Sequence, residues 1–558
     1  MKDLGQQLLL RLKQLEEVKQ DNESRDELVA IYVNPRRELI KDSQRYDNKG
    51  DRRGKRAYSG IPGSALSVWA DGMQGHMVSQ SLRWFKSILG DIELSRDNQV
   101  QAWLQLYDEA MYGEFNRSNF YSILGEWFRD AGSVGTATLY TEEDIGRGNS
   151  VHTPIHLREI FISEDRYGNV DTVFRKFFLT ARQAVDMFGD EKLSKMVVDN
   201  AKERPEKRHE FVHAVFPNTD RMFDSLLSEN KPIASVYLEM SGNAEGNRKA
   251  SVIRRSGYDI NPYAVWRLRK NSDEIYGYSP AHDAMTTILG INQMDKTLLE
   301  AAHMAVQPAL NIPEHMRGNV RILPNGHNYY ERGGDVIKPV NVMGNYPIGI
   351  DREERMQRII EDKYRVEFFM ILARAEREMT ATEIMERQSE KAVLLGPQVD
   401  RLIQEGLTKV FDVVSDIADK AGRLPPPPQI LVDAVDSKRI ARIDIRFTGP
   451  LAQAQQTLFN MKPIKNTLND LAQASVIFPS VLEIVNEDKL ADSILDANNF
   501  PAYLRRTDEE IQQMREAKAQ QIAEQQQMQT AQAAADAVPK LSKSIEPNSP
   551  MEMVGLGG

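Results

Sequence analysis

Two stretches decide how this chain is read: AHDAMTTILGINQMDKTLLEAAHMAV at residues 281–306 and DREERMQRIIEDKYRVEFFMILARAERE at residues 351–378. Both read as helix, the second with Met356, Ile359, Ile360, Phe368, Phe369 and Leu372 forming a packing side. At 1.5 Å per residue each predicts a rod on the order of 40 Å long. Between them, Pro308 to Gly349 is rich in Pro, Gly and Asn with short strand-like pieces, which predicts a small β module. A helix out, a β tip and a helix back make a long hairpin. It cannot bury both faces against itself, and copies set side by side are the simple way to cover them.

The rest of the chain is organised around that hairpin. Leu8, Leu12, Leu15 and Val18, then Leu28, Ile31, Leu39 and Ile40, recur at helical spacing. A basic, glycine-containing loop follows at 47–60, and residues 97–130 predict one or two helices carrying Trp103, Leu106, Tyr107, Trp127 and Phe128. The period then changes to two. GTATLYTEE, IHLREIFISED, VDTVFRKFFLT, HEFVHAVF, IASVYLEM, ASVIRRS and YAVWRL predict an antiparallel β-rich region with a small helix at ARQAVDMF. The fold class expected is α+β, helix-rich.

Beyond the hairpin, MTATEIMERQSEKAVLLGP at 379–397 poses a local question. Thr380-Ala381-Thr382-Glu383 fits a capping box, in which a hydroxyl caps the amide three residues on and a carboxylate returns to the cap amide. A helix therefore restarts at Thr380, directly after 351–378 and with no proline at the break. A bend is expected there. The new helix runs to about 421 with an interruption at Gly396-Pro397, and Pro425 to Pro428 end it. ILVDAV and ARIDIRF read as two more strands, the chain after Pro450 as helix, and the Gln/Ala-rich end as disorder.

A chain of 558 residues exceeds one compact core, so two or more domains are expected. The absence of cysteine excludes disulfides, thiolate metal sites and a cysteine nucleophile. The N-terminus has no signal-type apolar run and no stretch is long enough to span a bilayer, which predicts a soluble intracellular protein without a membrane partner. A formal charge of −10 gives no overall basic footprint for gripping nucleic acid. It is compatible with a protein that DNA slides past.

The most tempting catalytic signal is His209-Glu210-Phe211-Val212-His213. A zinc peptidase needs this motif on a helix, where the two imidazoles stack about 6 Å apart. The alternating flanks predict a strand, which separates them by about 13 Å. Gly50-Asp51-Arg52-Arg53-Gly54-Lys55-Arg56 resembles a phosphate loop only loosely: it is one residue short, lacks Ser or Thr after the lysine, and follows no strand. It remains a candidate for touching an acidic partner or a phosphate backbone. No nucleotide fingerprint or nucleophile elbow is present, so neither enzymatic activity nor a cofactor is expected. On 351–378, Arg352, Arg355, Arg358, Lys363, Arg365, Arg374 and Arg377 face Glu353, Glu354, Glu361, Asp362, Glu367, Glu376 and Glu378. Such near balance suits a solvated face, and it also suits a conduit for a polyanion, where dense positive charge would hold each phosphate.

Four segments resemble one family. MTATEIMERQSEKAVLLGPQVDRL (379–402), EWFRDAGSVGTATLYTEED (126–144), FVHAVFPN (211–218) and VWRLRKNSDEIYGYSPAHDAM (265–285) are similar to the head-to-tail connector, or portal, proteins of short-tailed double-stranded DNA phages. The likeness covers roughly residues 8 to 500. It departs at Tyr276-Gly277-Tyr278-Ser279-Pro280, where the family has a Tyr-Gly-Arg-Gly-Pro-like turn, which leaves any role of that arginine without a counterpart. The resemblance implies a ring, usually a dodecamer, at one capsid vertex, through which DNA is packaged and ejected. It implies a wing (1–280, with helices to 130 and β-rich 131–270), a first stem helix (281–306), a clip (307–350) and a second stem helix (351–379). A tunnel loop at about 374–383, a return to the wing (380–450), a crown (451–520) and the tail (521–558) complete it.

The channel candidates are then Arg374, Glu376, Arg377, Glu378, Thr380 and Glu383, and the charged stem face comprises Arg355, Arg358, Glu361, Lys363 and Arg365. Arg317, Arg321, Tyr329, Tyr330 and Arg332 are the clip candidates for docking partners. The partners implied are further copies of the chain, double-stranded DNA, the terminase large subunit, tail adaptor or tube proteins, and the major capsid and scaffolding proteins. The place implied is the virion, after assembly in the host cytoplasm. The rival readings are an internal scaffold or minor capsid protein and the zinc metallopeptidase.

Overall fold

The computed structural model describes residues 2–37, 54–91, 94–144, 146–222, 227–241, 249–318, 320, 329, 336–339, 346–374, 395–436, 443–449 and 508–542, with a few isolated residues between 467 and 491. The chain divides into two compact units: 1–88, 106–426 and 442–481 form the first, and 89–105, 427–441 and 482–558 the second.

The first unit opens with helix α1 (Lys2–Tyr32) and α2 (Ile61–Met77), followed by strand β1 (Phe85–Leu89), α3 (Asn98–Arg117) and α4 (Phe120–Val134). The amphipathic sequence of α4 turns Phe120, Leu124, Trp127, Phe128 and Ala131 into the core. It stops at Gly135, whose φ of 79° is left-handed and whose N–H returns to Ala131 O. A side chain there would also come within 2.5 Å of the Tyr278 backbone, so glycine is required twice over.

Two antiparallel sheets follow. One has the order β3-β2-β9, from β2 (Thr136–Asp144), β3 (Asn149–Ile155) and β9 (Tyr263–Arg267). The other is a meander of β4 (Ile160–Glu164), β5 (Val170–Thr180), β6 (Arg208–Pro217), β7 (Ile233–Ser241) and β8 (Lys249–Tyr258). Strand alternation sends successive residues to opposite faces. Val212 and Ala214 pack under Leu8, Leu9, Leu12 and Leu15 of α1. Phe211 packs on the other side with Ala181, Ala184 and Phe188 of α5 (Ala181–Phe188) and Val197 of α6 (Lys195–Glu203). Helix α5 begins with a complete Thr180/Gln183 capping box. A further cluster, including Tyr140, Ile155, Val173, Val215, Val265 and Tyr276, joins the two sheets.

The expected hairpin is present as α7 (Pro280–Asp283), α8 (Met285–Val306) and α9 (Tyr346–Lys363), with β10 (Leu310–Asn311) pairing antiparallel to β11 (Lys338–Pro339) between them. Three expectations are corrected. The helix expected without a break over 351–378 is interrupted at Tyr364 and Arg365, where Arg365 has φ 55°, and resumes as α10 (Val366–Arg374). The predicted strand ILVDAV is helix α13 (Gln429–Asp436), reached after α11 (Gly396–Arg401), a π-helical turn (Leu402–Leu407) and α12 (Thr408–Lys420). A short apolar run does not by itself separate strand from helix, and here Pro428 O accepts the first-turn N–H groups of Leu431 and Val432.

ARIDIRF contains the expected strand, β12 (Ile443–Phe447), which pairs with β1. The third correction concerns the tail expected to be disordered: Asp508–Ser542 is a 35-residue helix, α14, because Ala, Gln, Glu and Lys are strong helix formers even without an apolar face. Besides α13 and α14, the second unit contains the start of α3.

Candidate functional site: the helical hairpin and its base

The base of the hairpin is held by polar chemistry. Ser279 caps α7, with its Oγ accepting from Ala281 N and donating to Ser133 O in α4. His282 Nδ1 accepts from Ser279 N at 3.0 Å, and its Nε2 lies 3.0 Å from Asp26 Oδ1 of α1. Although serine, histidine and aspartate are thus in sequence, Ser279 is buried and its hydroxyl already caps a helix, which makes the trio a clamp. On the returning side, buried Tyr364 donates its hydroxyl to Gly132 O at 3.1 Å. Phe369 of α10 then packs where Gly72 of α2 leaves room, since a Cβ at Gly72 would sit 2.3 Å from that ring. Tyr364 and Phe369 therefore fix both sides of the turn at Arg365.

Further out, the hairpin has few partners among the described residues. Ile288 and Ile291 are the buried residues of α8. The two helices meet through small and flexible residues, with Gly290 against Met356 and Gly349 against Leu298. Like charges also face each other: partial burial and the nearby Asp295 carboxylate hold the Glu353 carboxyl above its ordinary range. Large apolar side chains stay exposed: Leu299 is 50% exposed, Met304 53%, Val306 81% and Ile350 51%.

Of the expected charged face, Arg355 and Lys363 are exposed, and Arg358 reaches Glu354 at 3.4 Å. Glu361 accepts from Gln357 at 2.7 Å and Arg365 pairs with Asp362 at 3.1 Å. These pairs lie within one helix or across its end, as a solvated face requires. Arg317 follows a short turn and faces Glu314, while Tyr329 is fully open to solvent. Arg374 ends α10. Glu376, Arg377, Glu378, Thr380, Glu383, Arg321, Tyr330 and Arg332 lie outside the described residues, and so does the Thr380–Glu383 capping box.

His209 and His213 sit on β6, as the strand reading requires. His213 is buried and both ring nitrogens are engaged, Nδ1 with Tyr263 Oη at 2.8 Å and Nε2 with Ser235 Oγ at 2.9 Å. Burial pushes its pKa well below the ordinary range. It is a core histidine, and the zinc peptidase reading fails on geometry.

Sequence reading missed two polar anchors. Arg267 is fully buried between Glu405 of the π-helical turn and Glu164 of β4. Its only signal in the sequence is an arginine closing the otherwise apolar run YAVWR. Asn292, an unremarked residue of α8, grips the backbone of the basic loop, accepting from Tyr58 N at 2.6 Å and donating to Arg56 O at 3.2 Å.

The fold and the hairpin define a helix-rich α+β protein with two antiparallel sheets and a long two-helix hairpin that carries a small β pair between its helices. The chain belongs to the bacteriophage head to tail connecting proteins, whose family model matches residues 5–505. It is 26% identical over 549 residues to the portal protein of Salmonella phage epsilon15, covering 97% of this chain and 95% of that one. It is 27% identical over 547 residues to the probable portal protein of Bordetella phage BPP-1, covering 96% and 94%.

Proposed function

We propose that this chain is the subunit of a phage portal, a ring at one capsid vertex through which genomic DNA enters and later leaves. Full-length similarity to two phage proteins named as portals supports the role. The structural observation that supports the ring is the hairpin, with Leu299, Met304, Val306 and Ile350 exposed along its outer part, apolar area that neighbouring copies would bury. Neighbouring copies around an axis would cover them without self-limiting pairwise closure. In this reading α8 and α9 are the stem, the module holding β10 and β11 is the clip, and residues 374–383 would supply the tunnel loop at the channel. Terminase, and afterwards tail adaptors, would dock on the clip near Arg317 and Tyr329. Capsid and scaffolding proteins would hold the outer part, and the finished ring would reside in the virion after assembly in the host cytoplasm.

The protein's work is then mechanical: it guides a polyanion past balanced charge, and nucleotide hydrolysis belongs to the motor. Electron microscopy of the purified chain tests the ring; particles with a central hole are expected, and a monomer at every concentration overturns the proposal. Neutralising Arg374 and Arg377 together should alter DNA packaging or retention in assembled particles. Unchanged packaging and ejection removes those two residues from the channel.

A further inference from the structure

We infer that the basic segment Lys55–Ser59 of one copy docks against the outward stripe of α9 on the next copy, an interface that rests on the ring reading above. The segment is held as a built feature. Asn292 of α8 accepts from Tyr58 N and from Ser59 N at 3.3 Å, it donates to Arg56 O, and Lys296 Nζ lies 5.7 Å from the centre of the Tyr58 ring. These contacts occupy the backbone and one side of the ring. Lys55 and Arg56 point into solvent, and Tyr58 is 47% exposed. From Gly54 to Gly60, GKRAYSG, the segment holds cations and no carboxylate, so whatever covers it must supply negative charge.

Helix α9 presents such a surface. Asp351, Glu354, Arg355, Arg358, Ile359 and Asp362 line a groove of about 460 Å³, three carboxylates to two guanidiniums; Arg365 at the helix end pairs with Asp362, so Asp351 and Glu354 are the carboxylates that meet the segment. Arg358 is already engaged by Glu354, and Ile359 lies within the stripe at 42% exposure, an apolar spot for an aromatic ring. The heights agree as well. Gly290 meets Met356 and Leu298 meets Gly349, so in this antiparallel pair Asn292 lies level with Glu354 and Arg355. Rotation about a ring axis running along the hairpin keeps every feature at its height. A loop carried at the level of Asn292 therefore arrives at the neighbour's Glu354, and the surface used on one copy differs from the surface used on the next. Such a head-to-tail contact is what a closed ring needs.

The test is a charge swap read by ring formation. Lys55→Glu with Arg56→Glu should raise the concentration needed for rings about tenfold, since two exposed pairs per interface turn from attraction to repulsion. Adding Asp351→Lys and Glu354→Lys should restore assembly, while circular dichroism shows each variant folded. In this cysteine-free chain, Tyr58→Cys with Ile359→Cys should give a ladder of cross-linked multimers with a short bis-maleimide. Rings at wild-type concentration in the first variant, or no rescue and no ladder, overturn the interface while leaving the ring reading intact. Unaltered rings with weakened DNA retention would assign the segment to a phosphate backbone and overturn it too. A wild-type chain that forms no closed assembly removes the ring reading and this interface together.

Discussion

Replacing Glu405 by leucine isolates the worth of the buried charge cluster that ties the π-helical turn to the sheets. Glu405 accepts from Arg267 N at 3.0 Å, Arg267 Nε at 3.1 Å and Arg267 Nη2 at 2.7 Å, and also from Arg401 at 2.7 Å. Arg267 is fully buried, so the substitution leaves an inaccessible guanidinium with Glu164, Gly168 O and Ile275 O as its remaining partners. Breaking a buried pair outright costs about 3–5 kcal/mol; because Glu164 keeps the guanidinium paired while Nε, Nη2 and the Arg267 N–H lose their acceptor, the lower end, about 3 kcal/mol, is expected. The companion change Arg267→Met should recover at least about 1 kcal/mol of that loss, since Glu164 still has Lys270 at 2.8 Å and no charge is stranded. Urea unfolding of wild type, both single variants and the double variant supplies the cycle. Protein concentration must be fixed, because assembly adds apparent stability by mass action. A cost below about 1 kcal/mol for Glu405→Leu would refute the reasoning.

Two further outcomes follow from the same geometry. Gly135→Ala forces a side chain into a left-handed backbone and against Tyr278, so folding should lose more than about 3 kcal/mol in the same unfolding assay; a loss under about 1 kcal/mol contradicts the close approach. Burial holds His152 down to about 3, against about 6.5 in an unfolded chain, so protonation favours unfolding. Its contribution is full above about pH 6.5 and is lost toward pH 3 at about 1.4 kcal/mol per pH unit. The stability gap between wild type and His152→Gln should narrow at that rate from pH 6.5 to 5. Comparing the two proteins cancels groups of opposite sign such as Asp108, which burial lifts to about 6. A constant gap would mean that His152 titrates normally in the fold.

Much of the architecture was legible in local pattern. The hairpin helices, seven of the eight strands from β2 to β9 (all but β3), and the small helix α5 follow from spacing and turn residues, since each depends on which side of one element is apolar. The strand reading of His209–His213 also sufficed against zinc. Where local signals were weak they misled. ILVDAV has too few residues to declare a period, and the Gln/Ala tail has high helix propensity but no face, so composition argued for disorder against a helix that forms.

The sequence alone determined the α+β class, the hairpin with its β tip, and the balance of charge along α9, because periodicity and composition are properties of single segments. Tertiary structure decided what those segments do to one another. It placed the turn at Arg365, where Tyr364 reaches Gly132 and Phe369 needs the space at Gly72. It buried Arg267 between two carboxylates and joined Asn292 to the basic loop more than two hundred positions earlier in the chain. Contacts between distant residues depend on how finished elements pack, and no window of sequence contains both partners.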